Sequence, residues 1–323
     1  MNRLKFKLVT GLIFILLVLV IILSLSLGSG GFILFNKLNY ADKVILNKIR
    51  IPRVLLALSV GGALSVSGLV LQTLFHNQLV EPYTLGISAG SLLFISFALY
   101  FDLVNKFGFL TLPFISFLGA LAVIYLLIIW SKKSIKLESL LLKGVMLNFI
   151  ASSLFMLIMA LSKNSNLQKI IYWTMGSLTQ TESILILFSL ISSILGIIIY
   201  YFFAIDLNGI LIGDEEAISL GIEVEKVKRI LFFTTSFLIA ISVSVAGIIG
   251  FVGLVVPHFL KIILGYDHRI LLINSFLAGS LFLLLCDTIA RTIIMPIELP
   301  VGTITGIIGG FLFIYILSKR EKI

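Results

Sequence analysis

The chain has 323 residues, of which 59% are hydrophobic and 12% are charged, and its mean hydropathy is +1.19. A water-soluble domain is about half apolar and about a quarter charged, so this composition excludes a soluble globular protein and indicates a polytopic membrane protein. The net charge of +9 does not indicate nucleic-acid binding, because the basic residues form short clusters between apolar segments instead of one broad basic face.

Apolar segments that approach the length of a bilayer crossing, about 20 residues, follow one another along the chain. The first, at 8–28, is longer than the apolar core of a signal peptide, which has about 7–15 residues, so we interpret it as a span. A short apolar segment at 252–265 could cross the membrane or only enter it. The other predicted spans are 52–74, 84–101, 109–130, 140–162, 183–204, 229–250, 270–290 and 301–318.

Basic clusters at both ends of the chain predict its orientation, because Lys and Arg concentrate on the cytoplasmic side. They lie at 3–7 and at 319–322, so both termini are predicted to be cytoplasmic. Two cytoplasmic ends require an even number of crossings, and segment 252–265 is therefore predicted to cross as well. We expect one all-α transmembrane domain over residues 1–323, with about ten helices and no inserted soluble domain.

One basic cluster opposes this orientation rule. The loop at 29–50 follows a single crossing from a cytoplasmic N-terminus, so it is predicted to lie outside. We interpret its charges as functional on the outer surface. The basic residues in and just after this loop are Lys37, Lys43, Lys48, Arg50 and Arg53.

Small residues at four-residue spacing predict where helices pack closely, because in lipid close backbone approach replaces the hydrophobic effect as a driving force. The second span carries Ala57, Gly61 and Ser65 at this spacing, and the last span carries three glycines. The glycines for which we predict helix packing are Gly61, Gly86, Gly90, Gly302, Gly306 and Gly310.

The segment G-I-S-A-G at 86–90 matches the G-x-S-x-G pattern of a serine nucleophile. That pattern needs a preceding strand and a nearby base, and no strand is predicted here. His76 and His268 fall in predicted inner loops, and His258 falls on the opposite side of the membrane from Ser88. We predict small-residue packing at a helix start, and an intramembrane serine hydrolase using Ser88 is the remote alternative.

Other signals of catalysis are missing from the sequence. The phosphate-loop motif G-x-x-x-x-G-K-[ST] does not occur, and no Cys and His residues have metal-ligand spacing. The single cysteine, Cys286, excludes an internal disulfide. We therefore expect no catalytic residue, no metal site and no cofactor. The acidic residues do not converge in mid-membrane, which gives an ion-coupled carrier little support as a third hypothesis.

The polar stretch 204–229 predicts a short capped helix on the inner side. Asp214 can cap this helix, Glu215 and Glu216 favour its first turn through the helix dipole, and Gly221 can end it. One interpretation is a solvated turn. The other is a docking element for a cytoplasmic partner.

Four ordered blocks of the sequence resemble the FecCD-type permeases, the membrane subunits of ABC importers for iron–siderophore, haem and cobalamin. They are "RIPRVLLALSVGGALSVSGLVLQTLFHNQLVEPYTLGISAGS" at 50–91, "GDEEAISLGI" at 213–222, "GFVGLVVPHFLKIILGYDHR" at 250–269 and "CDTIARTIIMPIELPVGTITGIIGG" at 286–310. The resemblance covers roughly residues 45–318. Gln78 departs from the Asn-Pro-Leu that is usual in the family, which affects the expected shape of that loop only.

The resemblance implies a homodimer or close heterodimer in a bacterial inner (plasma) membrane, two cytoplasmic ATPase subunits, and a substrate-binding protein outside. It implies a ferric siderophore as cargo first, then haem, cobalamin or molybdate. It also implies a cytoplasmic coupling helix at about 213–221. The implied ATPase-coupling residues are Gly213, Asp214, Glu215, Glu216, Ala217, Leu220 and Gly221.

The same resemblance implies that Arg50, Arg53 and Arg291 dock the binding protein through its acidic residues, since an arginine fork binds carboxylate bidentately. Each has an alternative. Asp287 lies four residues before Arg291, which is the favoured spacing for an internal helical ion pair. Arg50 and Arg53 could instead be ordinary interfacial side chains that reach toward water.

Overall fold

The computed structural model describes residues 3–29, 31–33, 39–108, 110–131, 137–162, 164–180 and 182–320. Lys37, the basic stretch at 132–136 and Lys322 lie outside the described residues. The chain is 83% helical and has no strands in the part that is described. Its α-helices are α1 Arg3–Ser26, α2 Tyr40–Ile45, α3 Ile51–Leu74, α4 Ile87–Tyr100, α5 Leu103–Phe107, α6 Thr111–Ser131, α7 Leu137–Leu161, α8 Asn164–Thr174, α9 Ser183–Phe202, α10 Ala204–Ile212, α11 Asp214–Ser219, α12 Val224–Ala246, α13 Val252–Leu264, α14 His268–Thr292 and α15 Val301–Arg320.

The apolar helices coincide in order with the predicted spans. In the described residues, seven helices are long and apolar enough to cross a membrane, and three shorter apolar helices cover Ile87–Tyr100, Val252–Leu264 and Val301–Tyr315. The 13 residues of α13 rise only about 20 Å, which is less than the hydrocarbon thickness of about 30 Å. The all-α polytopic fold is thus confirmed, and helix length does not establish ten full crossings.

Helix α3 forms the centre of the fold. It packs against α1, α9, α12, α13 and α14, and nearly all of its residues are buried. A helix that is apolar on every face belongs in the core of a large protein, and here the surrounding helices exclude both lipid and water. The remaining helices form a shell with large apolar side chains exposed on its surface, as in the outward-facing residues of α1 and α9.

The predicted outer loop at 29–50 is partly helical. Asn39 and Asp42 form a reciprocal capping box, in which Asn39 Oδ1 accepts from the Asp42 N–H at 2.7 Å. Helix α2 then continues through a π-helical turn, Leu46–Arg50, directly into α3, so that 40–74 is one helical stretch of 35 residues. Helices α8 and α10 also fall in stretches that the sequence predicted as connections.

Glycines set the closest helix contacts. A Cβ atom on Gly61 would lie 2.5 Å from the carbonyl oxygen of Gly279 in α14, and one on Gly90 would lie 2.6 Å from that of Gly119 in α6. Gly86 has a φ of +76° and lies against Gly144 of α7, while Gly302 lies against Met175.

Among the described residues, the predicted glycine groove of the last helix is closely packed at Gly302 but not at Gly306 or Gly310. Gly306 has no neighbour within 4 Å among the described residues, and Gly310 makes only an ordinary contact with Phe251. Gly309, one position round the helix, packs closely against Phe251 instead, since a Cβ added at Gly309 would lie 2.5 Å from the Phe251 Cβ. The neighbour therefore packs on a different face of α15 from the one that the spacing predicted.

Candidate functional site

The charge pattern predicts which end of the fold is inner and which is outer. Helix α11, at the inner end, is short and almost wholly exposed. Gly213, not Asp214, is its N-cap residue, and no side chain caps it. The predicted capping role of Asp214 is wrong because its carboxylate faces α12 instead. At the other end, the Gly221 N–H donates to Ile218 O at 2.9 Å and the Ile222 N–H donates to Ala217 O at 3.1 Å. These two bonds form a Schellman motif, so Gly221 ends the helix as predicted, with a φ of +85°.

Asp214 ties α11 to two other parts of the chain. It accepts a short hydrogen bond from Lys228 Nζ, which is buried in α12. His76 Nε2, in the loop between α3 and α4, lies 3.7 Å from Asp214 Oδ1. Lys228 falls in the polar stretch 204–229, before the predicted start of the next span at 229, but α12 begins at Val224 and includes it.

The rest of α11 presents a mixed surface to solvent. Ala217 is fully buried and anchors the helix, whereas Ile218 and Leu220 are 61% and 66% exposed. Glu215 and Glu216 are exposed in the first turn. An open groove of about 820 Å³ runs beside the helix between α10 and the start of α12. Exposed apolar residues flanked by carboxylates form a surface that can bury apolar area against a partner and pair with its basic residues.

Helix α10 connects this surface to the core through a polar network. Asn208 Oδ1 accepts from the His268 N–H at 2.8 Å and lies 2.8 Å from His268 Nδ1. His268 Nε2 is 2.7 Å from Thr73 Oγ1 at the end of α3. Asp267 caps α14, and hydrogen bonds from Arg269, then from Asn208, lower the pKa of Asp267 to about 2. His268 was predicted to lie in a loop, but it is the first residue of α14 and is fully buried.

The outer end of the fold contains a buried ion cluster. Arg53 Nε is 2.8 Å from Asp287 Oδ1, and Arg53 Nη1 is 2.7 Å from Glu298 Oε2. Arg291 Nε is 3.3 Å from Asp287 Oδ2, and its Nη2 donates to Ser24 O at 2.9 Å. One carboxylate thus lies between two guanidinium groups, which is the usual condition for burying charge in a membrane protein.

Glu298 is the member of this cluster that reaches the surface. Burial by itself raises the pKa of the Glu298 carboxyl, but hydrogen bonds from Arg53 and Ser29 outweigh burial, and the pKa lies below its ordinary value of 4.5. An open cavity of about 760 Å³ adjoins the cluster, with Arg53, Glu298, Tyr172 and Trp173 in its lining.

Arg50 has a different role from the other two arginines in this structure. Its Nη1 donates to Leu25 O at 2.7 Å and Ser26 O at 2.6 Å, and its Nη2 donates to Gly31 O at 2.9 Å. The Leu25 and Ser26 carbonyls lie at the C-terminal end of α1, where the last helical carbonyls have no partner within the helix, and Gly31 lies in the loop that follows. Arg50 therefore caps the C-terminal end of α1, and its positive charge interacts favourably with the negative end of the helix dipole.

The three arginines are brought to one end of the fold, but all of them are buried. Arg50, Arg53 and Arg291 are 3%, 6% and 2% exposed, and their guanidinium groups are occupied by internal partners. The internal Asp287–Arg291 pair, which the sequence left as an alternative, is present. Of the predicted cluster's residues that the structure describes, Lys43 and Lys48 are the exposed ones.

Sequence reasoning missed Glu298 and the link from Arg53 to Asp287. The available signal was the presence of charged residues inside apolar spans, since such residues are costly in a membrane and need a partner.

Ser88 lies in the first turn of α4 and is 6% exposed. The 3-10 turn Pro82–Leu85 precedes it, and Gly86 is the N-cap residue in the left-handed conformation. In the described residues no strand leads into Ser88, so the nucleophile elbow that the pattern would require is not formed. No group of three or more His, Cys, Asp or Glu residues that could hold a metal ion occurs among the residues the structure describes.

Comparisons with known proteins agree with one another over most of the chain. The model of the FecCD transport family matches residues 10–319. The chain is 39% identical over 284 residues to the hemin transport system permease protein HmuU of Yersinia pestis, covering 85% of this chain and 83% of that protein. It is 34% identical over 279 residues to the cobalamin import system permease protein BtuC of Halobacterium salinarum, covering 86% and 74%.

Solved structures give the same result. The inward-facing structure of a metal-chelate type ABC transporter superimposes with a TM-score of 0.88 at 30% identity, covering 97% of this chain and 99% of that one. PsaBC from Streptococcus pneumoniae matches with a TM-score of 0.59 at 12% identity, which shows a shared fold only.

Proposed function

Because the chain belongs to the FecCD transport family, whose members are permease subunits of ABC transporters and not enzymes themselves, we propose that it carries a ferric siderophore across the membrane as the permease of an importer. As a permease of the metal-chelate, haem or cobalamin kind it is a multi-pass subunit of the inner (plasma) membrane. Beyond family membership, we propose the cargo and the partners of this chain and roles for individual residues. We also propose that residues 1–323 form a single domain with both termini in the cytoplasm.

The proposed motor is a pair of separate ATPase subunits that hold α11 from the cytoplasm. The observation that carries this proposal is the exposure of Ile218 and Leu220 on a helix whose first turn is acidic. Leaving two large aliphatic side chains in water is unfavourable, and a partner that covers them gains the free energy of their burial. The proposed coupling residues are the seven predicted ones, with Ala217 and Gly221 setting the shape of α11 and the others forming its surface.

The proposed outer partner is a substrate-binding protein with acidic residues. Buried Arg50, Arg53 and Arg291 hold α1, α3, α14 and the segment before α15 in place, and we propose that they support the docking surface from within. Lys43 and Lys48 supply its exposed positive charge. A second permease copy, or a close paralogue, would face this chain across the pathway, and transport would follow from rocking between two packings of the helices.

The cargo is proposed from the relatives. One solved neighbour is described as a metal-chelate transporter, and named relatives transport hemin and cobalamin. Haem and cobalamin are therefore alternative cargoes, and molybdate stays a further alternative that rests on the family resemblance alone.

Uptake in a strain that lacks this permease tests the proposal directly. Ferric siderophore, haem, cobalamin and molybdate would each be supplied in labelled form, with and without the restored gene. We expect the restored gene to recover uptake of ferric siderophore only, and only while the ATPase subunit is intact. Recovery of another cargo would correct the substrate, and uptake without any ATPase would favour an independent carrier.

A further inference from the structure

A stretch of non-helical backbone lies inside the membrane domain, between α12 and α13. It covers 247–251, and its outer end approaches Gly302 through the Ile248 carbonyl. Its inner end leads to Gly253, which is packed so closely that a Cβ would lie 2.7 Å from Leu64 O in α3. Leu64 is roughly 20 Å along α3 from its outer end at 1.5 Å per residue. Irregular backbone at this depth needs partners from the protein, because lipid offers none.

The loop at 75–86, which joins α3 to α4, supplies those partners. Glu81 Oε1 accepts a short hydrogen bond from the Phe251 N–H. Tyr83 Oη accepts a hydrogen bond of 3.0 Å from the Ile249 N–H, and Pro82 packs against Gly253. Phe251 has a φ of +69°, a backbone conformation that a residue other than glycine keeps only where its surroundings hold it. The carboxylate of Glu81 therefore helps to hold both the position and the conformation of this segment.

The same loop also reaches the inner surface. His76, near its start, lies 3.7 Å from Asp214 at the beginning of α11. Asp214 is bound in turn to Lys228 of α12, the helix that ends at segment 247–251. The loop is thus in contact with the predicted coupling helix at one end and with mid-membrane backbone at the other.

We propose that Glu81 is a positioning residue for transport, which fastens segment 247–251 to the loop at 75–86 so that displacement of α11 moves this segment. The inference goes beyond the proposed function and rests on its ATPase docking. Glu81 touches no cargo in this scheme. It acts through the Phe251 N–H, and the hydrogen bond matters more than the charge.

The test uses the full permease in complex with its ATPase subunits, with Cys286 replaced by Ser and a single cysteine introduced as Ile248→Cys. The rate of labelling by a hydrophilic maleimide is measured without nucleotide and after vanadate trapping of the ATPase. Trapping should change the labelling rate in the parent, because displacement of α11 would move segment 247–251 and alter the exposure of position 248. Glu81→Ala should abolish the change, and Glu81→Gln should retain it because the amide oxygen can accept the same bond.

Two further variants keep the test decisive. Tyr83→Phe removes the acceptor for the Ile249 N–H without removing Glu81, so it should reduce the change even if Glu81→Ala does not fold. Leu79→Ala, a 60% exposed position on the same loop, is the control and should respond like the parent.

An equal response in Glu81→Ala and the parent, or no response to trapping in the parent, would overturn the relay. If Glu81→Gln responded like Glu81→Ala, the proposal that Glu81 acts through its hydrogen bond to the Phe251 N–H would be overturned. Co-purification of the ATPase is scored separately, because its loss from the parent would contradict the proposed function itself and would remove the input of the relay with it.

Discussion

Gln72 in α3 donates a hydrogen bond of 3.2 Å to the carbonyl oxygen of Gly253 in α13. Pro257, four residues after Gly253, has no N–H to complete the helical ladder, so this carbonyl would otherwise be a buried acceptor without a donor. The Gln72 amide oxygen accepts in turn from Lys261 Nζ at 2.8 Å. The Gln72 side chain of the central helix therefore supplies the hydrogen bond to Gly253 O that Pro257 cannot donate.

Replacing Gln72 with Met should reduce the free energy of unfolding by about 1–3 kcal/mol for each buried polar group that it leaves unsatisfied. Thermal unfolding in detergent measures the loss. Pro257→Ala restores an N–H opposite the Gly253 carbonyl, so the same Gln72 change should cost less in that background. Equal losses in the two backgrounds would show that Gln72 does not serve the proline break.

Gly61→Ala should destabilise the protein by about 1–3 kcal/mol, because the new methyl group would overlap backbone of α14, which cannot rotate away. Gly306→Ala is the matched control in another apolar helix. It has open space and should be neutral or gain up to about 1 kcal/mol of helix propensity. Similar melting temperatures for the two variants would contradict the packing argument.

Ile218→Asp should weaken ATPase binding by about tenfold, the effect of roughly 1.4 kcal/mol, while leaving the fold unchanged because Ile218 is 61% exposed. Glu215→Lys should have a similar effect by reversing an exposed charge. It is a cleaner test than Asp214→Lys, which would also remove the partner of buried Lys228. Phe107→Asp, 75% exposed and predicted to lie on the opposite face, is the control. Affinity is read from co-purification or titration, and unchanged binding in both test variants would reject docking on α11.

Lys43→Glu with Lys48→Glu should weaken docking of the binding protein by about tenfold at low salt and less at high salt, since exposed charges are screened. Lys226→Glu, 66% exposed on its side chain and predicted to lie inside, should not affect docking. The buried arginines are unsuitable for this test because charge reversal would break their internal ion pairs. If the double variant binds the binding protein as tightly as the parent at both low and high salt, these two positive charges do not contribute to docking.

Lowering the pH should weaken the outer ion cluster by protonating the Glu298 carboxylate. Its pKa is lower in the folded protein than its ordinary value of 4.5, so the charged form stabilises the fold. That stability is complete above about pH 4.5 and is lost as the pH falls through the lowered folded pKa. Glu298→Gln should flatten this part of the pH dependence of the melting temperature. A variant with the same acid response as the parent would locate the effect in another carboxylate.

Several features of the fold were predictable because they depend on residues close together in the chain. The lengths of the apolar segments predicted the positions of the apolar helices to within a few residues. Gly221 was predicted to end α11, and it does so because a left-handed residue after a helix is a local requirement. The resemblance predicted the family, since four motifs in order are preserved in the sequence itself.

The site depended on contacts that no local pattern contains. Arg53 meets Asp287 at 234 residues of separation and Glu81 meets Phe251 at 170, so their partners could not be read from spacing. The prediction that Asp214 caps its own helix is wrong for the same reason, because Lys228 of α12 competes for that carboxylate.

By itself, the sequence determined that this chain is an all-α membrane protein, because hydrophobic length and local turn chemistry act over a few residues at a time, and its four ordered motifs identified the permease family. Only the tertiary structure decided which charges are buried together and which remain on the surface. The physical reason is that a charge inside a membrane protein is stable only beside its partner, and helix packing alone selects that partner.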